Sequence, residues 1–165
     1  MTWIRTIAPE DADGELAQFY DAVAGARGGV AAIHVAQSLH PRAMRAHLEL
    51  YKAVVLGRSA LPRRTRERIA VIVSRANGCE YCVRHHAAAL VTLGETAEVV
   101  DALARGDAPS SGSAWSEADA ALAAWVRQAA VVPHAARAID LEPLRTAGLD
   151  DAAILDAALI ASYFC

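Results

Sequence analysis

Apolar residues recur at three- and four-residue intervals along most of this chain. No stretch alternates apolar with polar residues as a half-buried strand would. That periodicity commits the chain to an all-α fold, and its punctuation agrees. Pro41 and Pro62 stand where helices begin, and Asn77-Gly78, Gly94 and Gly106 stand where they end. The pattern predicts helices over 13–25, 30–39, 41–57, 62–77, 79–93, 95–104 and 116–132. A short helix follows Pro133, and a last one runs from Asp150 or Asp151 to Cys165. Leu16, Phe19, Tyr20 and Val23 form the apolar stripe of the first, and Met44, Leu48, Tyr51, Val54 and Val55 that of the third. Ile69, Ile72, Val73 and Ala76 form that of the fourth. Ser116 with Asp119 resembles a capping box, and residues 106–113 (GDAPSSGS) are the most loop-like stretch.

Composition fixes the class further. The chain has 165 residues, 55% of them hydrophobic, enough for a real core in one helical domain, 1–165. N-terminal helices occupy 1–60, core helices bearing the chemistry 61–105, and C-terminal helices 114–165. A formal net charge of -3 argues against a nucleic-acid partner, which needs a basic face. The N-terminal residues carry acids and no apolar targeting region. No run approaches the roughly 18 apolar residues of a membrane span, so the chain is read as cytoplasmic with no membrane partner. It stops inside an apolar helix (Ile160, Tyr163, Phe164), which points to docking on a partner subunit or to further chain.

Three cysteines in such a chain are not a disulfide framework, and two of them stand three residues apart. Four groups between 63 and 90 belong together: Glu67, Cys79, Cys82 and His86. On one helix, residues 79, 82 and 86 lie within an arc of roughly 60°, so they share a face. Helical side chains lean toward the N-terminus, which carries His86 back over Cys82, four residues earlier. The helix N-terminus favours a thiolate, and Cys-x-x-C thiols so placed have pKa values of about 3.5 to 7.5. A tight turn at Asn77-Gly78 folds the helix bearing Glu67 back on the Cys helix. There the carboxylate orients His86, giving a Glu–His–Cys relay with the logic of an activated nucleophile. A sulfenic acid formed on one cysteine is then trapped as a disulfide by the other.

Plainer readings stand beside this one. A structural zinc site would use Cys79, Cys82 and His85 or His86, but no second Cys pair exists to complete four ligands. The same thiol pair also suits a redox switch, disulfide reductase or sensor without peroxidase turnover. The RRTRER run (63–68) reads as a solvated helix face. His34, His40 and His47 read as capping, packing or surface groups, the Trp and Tyr residues other than Tyr81 as packing, and Cys165 as an incidental thiol.

The spacing Glu67, Cys79, Cys82, His86 resembles that of the AhpD-like alkylhydroperoxidases of the carboxymuconolactone decarboxylase superfamily. The flanking IAVIVSRANGCEYCVRHHAAAL, the opening WIRTIAPEDADGELAQFYDAV and the stretch SLHPRAMRAHLELYKAV are similar to its peroxidase-related branch. The resemblance implies an all-helical multi-helix bundle, a homo-oligomer and a cofactor-free, metal-free peroxidase. Its substrate would be a hydroperoxide and its reductant an external dithiol, thioredoxin-like or lipoyl-type. By that resemblance Cys82 attacks the peroxide, Cys79 resolves, and His86 and Glu67 relay the proton, with Tyr81 and His85 bordering the site. The position of Tyr81 is a histidine in the well-studied peroxidase of that family, and a tyrosine is no base near pH 7. The decarboxylases of the superfamily lack the Cys pair, which disfavours decarboxylation here.

Overall fold

The computed structural model describes residues 2–24, 29–109 and 115–165. Among these residues the regular structure is all-helical, with no β-strand. After a 3-10 turn at Pro9–Asp11 come α1 (Gly14–Ala24), α2 (Ala32–Ala36) and α3 (Pro41–Tyr51), then a π-helical turn at Lys52–Leu56. The order continues with α4 (Arg63–Ala76), α5 (Glu80–Thr92), α6 (Ala97–Arg105) and α7 (Glu117–Val131). Two 3-10 turns (Pro133–Ala135, Ala138–Leu141), α8 (Glu142–Thr146) and α9 (Asp151–Phe164) complete it. No helix among the described residues is long and apolar enough to cross a membrane.

The chain divides into two compact units, Met1–Lys52 and Ala53–Cys165. In the first, Leu16, Phe19 and Tyr20 of α1 are buried with Met44 of α3, as their helical spacing requires. His40 Nδ1 accepts from Ala43 N–H and caps α3. His34 packs edge-on against Phe19, with ring centroids 5.3 Å apart, and His47 Nδ1 lies 3.2 Å from Gln37 Nε2. These are the capping and packing roles expected of the three histidines. Trp3 departs from expectation. It is fully exposed, because it precedes the first helical turn and no amphipathic element carries it into a core.

The second unit is organised around α4, which packs against α5, α6, α7 and α9. Nine consecutive residues of α4, Arg66 to Ser74, are buried, so the middle of this helix is enclosed on all sides. This corrects the reading of 63–68 as a solvated face at Arg66, Glu67 and Arg68, while Arg64 is exposed as expected, and the reason is that each buried charge has found a partner. Arg66 Nη1 donates to Val55 O (2.5 Å) and Gly57 O (2.9 Å). Those carbonyls belong to a segment expected to continue an α-helix to Gly57 but which opens instead into the π turn. Arg68 donates from Nε to Glu95 Oε2 (2.6 Å) and from Nη1 to Asp119 Oδ1 (2.8 Å), under the ring of Trp115.

Apart from α2, which stops at Ala36, three residues short of the expected Leu39, the remaining helix boundaries fall within a residue or two of expectation. Ser116 and Asp119 form the capping box of α7, with Asp119 N donating to Ser116 Oγ at 3.1 Å and Ser116 N donating to Asp119 Oδ2 at 3.0 Å. Asp150 caps α9. After Pro133 the single expected helix is replaced by two 3-10 turns and α8. Residues 110–113 of the loop-like stretch lie outside the described residues.

Candidate active site

The site begins with a turn. At the end of α4, Cys79 N–H donates to Ser74 O (2.9 Å) and Gly78 N–H to Arg75 O (3.1 Å), with Gly78 at φ +67°. This is a Schellman motif, which needs a residue tolerant of the left-handed region at Gly78. Its last residue, Cys79, is also the N-cap of α5. The motif that stops one helix therefore sets the first thiol of the next. Arg75 pairs with Glu80 across the turn. Cys82 follows in the first turn of α5 and His86 one turn later, whereas Cys79 precedes the helix as its N-cap with ψ 86°, so the expected one-helix placement holds for Cys82 and His86.

α4 then supplies the carboxylate. Glu67 is fully buried and His86 nearly so. His86 Nδ1 lies 2.6 Å from Glu67 Oε2, and Glu67 Oε1 accepts from Arg63 Nε at 2.9 Å and from Arg63 Nη2. Burial by itself would raise the Glu67 carboxyl. The hydrogen bond and charge of His86, then those of Arg63, outweigh it and hold the group below its ordinary value. Glu67 is thus a carboxylate, and an acceptor. His86 Nδ1 therefore carries the proton of that bond, and when the ring is neutral its acceptor lone pair is on Nε2.

Cys82 behaves differently from the expectation of a low pKa. Cys79 and Cys82 are half-buried and not joined by a disulfide. Burial, and then the neighbouring Cys79 sulfur, push Cys82 up to about 12, while the Ser74 hydroxyl acts in the opposite direction. Burial and a second sulfur both disfavour the Cys82 thiolate. Tyr81 is 42% exposed and its ring stacks on that of His85 (centroids 6.3 Å apart, planes 10° apart). Both border the site from the solvent side. His85 in turn meets His86 edge-on at 5.1 Å. Cys165 is exposed. Among the described residues no group of three or more His, Cys, Asp or Glu side chains is arranged to hold a metal ion.

Known proteins share this arrangement of helices. The model of the carboxymuconolactone decarboxylase family matches residues 41–128, which span α3 to most of α7. This chain belongs to that family. Its structural neighbours include a peroxidase-related protein from Silicibacter sp. TM1040, 25% identical with a TM-score of 0.80, the match covering 99% of this chain and 87% of the other. An AhpD-core, peroxidase-related protein from Ralstonia eutropha JMP134 is 25% identical with a TM-score of 0.82, covering 98% and 83%. A cysteine-to-alanine variant of the debrominase Bmp8, in complex with 2,3,4-tribromopyrrole, is 18% identical with a TM-score of 0.78, covering 99% and 84%, and shares the fold. No curated protein matches the sequence. The chain is therefore an all-α, AhpD-like member of a family whose named representatives are enzymes.

Three side chains of this site escaped sequence reasoning. Arg63 and Ser74 lie on α4 four residues before and seven after Glu67, spacings that put all three near one helix face. That shared face is the signal that would have found them. Phe164, at the end of α9, packs edge-on against His86 with centroids 4.6 Å apart, and its carbonyl accepts from Asn77 Nδ2 at 2.9 Å. No local pattern announces that contact, since it joins residues far apart in the chain. It shows the apolar end of α9 covering the site of its own chain. A cavity of about 540 Å³ opens elsewhere, at the first turns of α4, α7 and α9, and includes none of the four candidate residues in its lining.

Proposed function

We propose that this protein is a thiol-dependent peroxidase that reduces alkyl hydroperoxides with the Cys79–Cys82 pair and a Glu67–His86 relay. The observation that carries the reading is the buried 2.6 Å bond between His86 Nδ1 and Glu67 Oε2, on a helix where His86 follows Cys82 by one turn. A histidine so oriented presents Nε2 as a base on the face it shares with Cys82.

In the proposed cycle, Nε2 of His86 takes the Cys82 proton as the sulfur attacks the terminal oxygen of the hydroperoxide. The O–O bond breaks, Cys82 becomes a sulfenic acid, and the departing alkoxide takes the proton back from His86 to leave as the alcohol. The Cys79 sulfur then attacks the sulfenic sulfur. A disulfide forms and water leaves with the Cys79 proton. An external dithiol, thioredoxin-like or lipoyl-type, reduces the disulfide by exchange and is itself oxidised. The raised pKa of Cys82 fits a thiol whose proton departs only to a positioned base.

The test is consumption of tert-butyl hydroperoxide by the reduced protein with excess dihydrolipoamide. The reading predicts many turnovers per chain, none in Cys82→Ser, and a loss of roughly 10²- to 10⁴-fold in His86→Ala. One oxidation per chain without turnover would overturn it in favour of a redox switch.

A further inference from the structure

We propose that Ser74 is a positioning residue for Cys82, a buried hydroxyl held ready to donate to the Cys82 sulfur when that sulfur becomes negatively charged. The inference rests on the reading of Cys82 as the reacting thiol and adds a residue to it.

Ser74 is 1% exposed and lies in the last full turn of α4. A serine inside a helix ordinarily bonds back to the carbonyl four residues earlier, here Ala70, or turns to solvent. Ser74 does neither, and its Oγ has no hydrogen-bond partner in the resting site. Buried hydroxyls are nearly always paired, so an orphan one needs a reason. The reason lies across the turn, where Ser74 acts on the Cys82 sulfur to favour its ionised form. A protonated thiol is a feeble acceptor and leaves the hydroxyl unsatisfied, whereas a thiolate is a strong one. The donor is thus in place before charge develops, the arrangement by which enzymes favour a charged state without reorganising at the moment of reaction.

The backbone makes the placement rigid. The Ser74 carbonyl accepts from Cys79 N–H at 2.9 Å, so the residue that carries the orphan hydroxyl also fixes the start of α5, the helix that bears Cys82 in its first turn. Of the groups that act on Cys82, burial and Cys79 oppose ionisation, and Ser74 favours it. His86, Glu67 and Arg63, and the Arg75–Glu80 pair at the turn, stay unchanged in the variants that test this.

The test reads Cys82 alone, in protein carrying Cys79→Ser and Cys165→Ser, by its rate of alkylation with iodoacetamide from pH 7 to pH 10.5. Below the thiol's midpoint that rate tracks the thiolate fraction, so a shifted pKa appears as a parallel displacement of the whole profile. Ser74→Ala is expected to lower the rate roughly tenfold at every pH in this range. Ser74→Thr, which keeps the hydroxyl, is expected to restore most of it. Alanine adds no volume and favours the helix, and the unfolding midpoint of each variant reports its packing. A lowered unfolding midpoint with an unmoved alkylation profile, or an Ala profile equal to that of the parent, overturns the proposal. The experiment contains no peroxide, so a failure of peroxidase turnover in the parent protein would leave the result for Ser74 standing.

Discussion

Glu67 shows how much one buried charge can organise. It has no access to solvent, yet Arg63 and His86 keep it ionised, and it fixes the His86 tautomer in return. Glu67→Gln keeps the shape but removes the charge, and should lower hydroperoxide turnover by roughly 10²-fold or more, measured as kcat/KM. The carboxyl is depressed in the folded state, so its stabilising contribution is complete above its ordinary value of 4.5 and is lost as pH falls through its lower folded value. Acid unfolding followed by circular dichroism should accordingly lose part of its pH dependence in Glu67→Gln. At this scale the sequence was legible where spacing sets position along one helix, as with Cys82 and His86 four residues apart on α5. It was silent where burial decides. The high pKa of Cys82 follows from its surroundings, and the position of the residue at a helix start suggested the reverse.

Among the elements, the α4–α5 turn is the one on which the site depends. Gly78 sits at φ +67° with open space where a Cβ would go, so a side chain there meets backbone strain and no clash. Gly78→Ala should cost about 1 kcal/mol and lower the thermal midpoint by about 2–4 °C, as differential scanning calorimetry would show. Helix ends were legible because Pro, Gly, Ser and Asp act locally: Gly78, Gly106, the Ser116–Asp119 box and Asp150 all stand where their chemistry placed them. The π turn at Lys52–Leu56 was not legible, since Arg66, beyond the turn in sequence, takes up its Val55 carbonyl and the Gly57 carbonyl just after it.

For the molecule as a whole, the enclosed helix α4 is the main departure from what the sequence suggested. Its charges, Arg66, Glu67 and Arg68, disguise a core helix as a surface one, because a pattern of residue types does not show which charges have partners. Arg68 joins α4 to Glu95, ahead of α6, and to Asp119 of α7. Removing it leaves two carboxylates facing one another without a cation. Arg68→Ala should therefore destabilise the protein by about 3 kcal/mol, visible as a lower urea midpoint with an unchanged m-value. The Glu67–Arg63 pair and the thiols lie outside that network, so a folded Arg68→Ala protein should retain peroxide turnover.

The proposed peroxidase cycle depends on Cys82 receiving the peroxide oxygen. The direct measurement is mass spectrometry of Cys79→Ser protein treated with one equivalent of tert-butyl hydroperoxide and a sulfenic-acid trap. Attack by Cys82 predicts one trapped adduct per chain, on Cys82, and no adduct once His86→Ala is added and exposure is kept brief. An adduct on Cys165 alone, or no adduct while the peroxide persists, would contradict it.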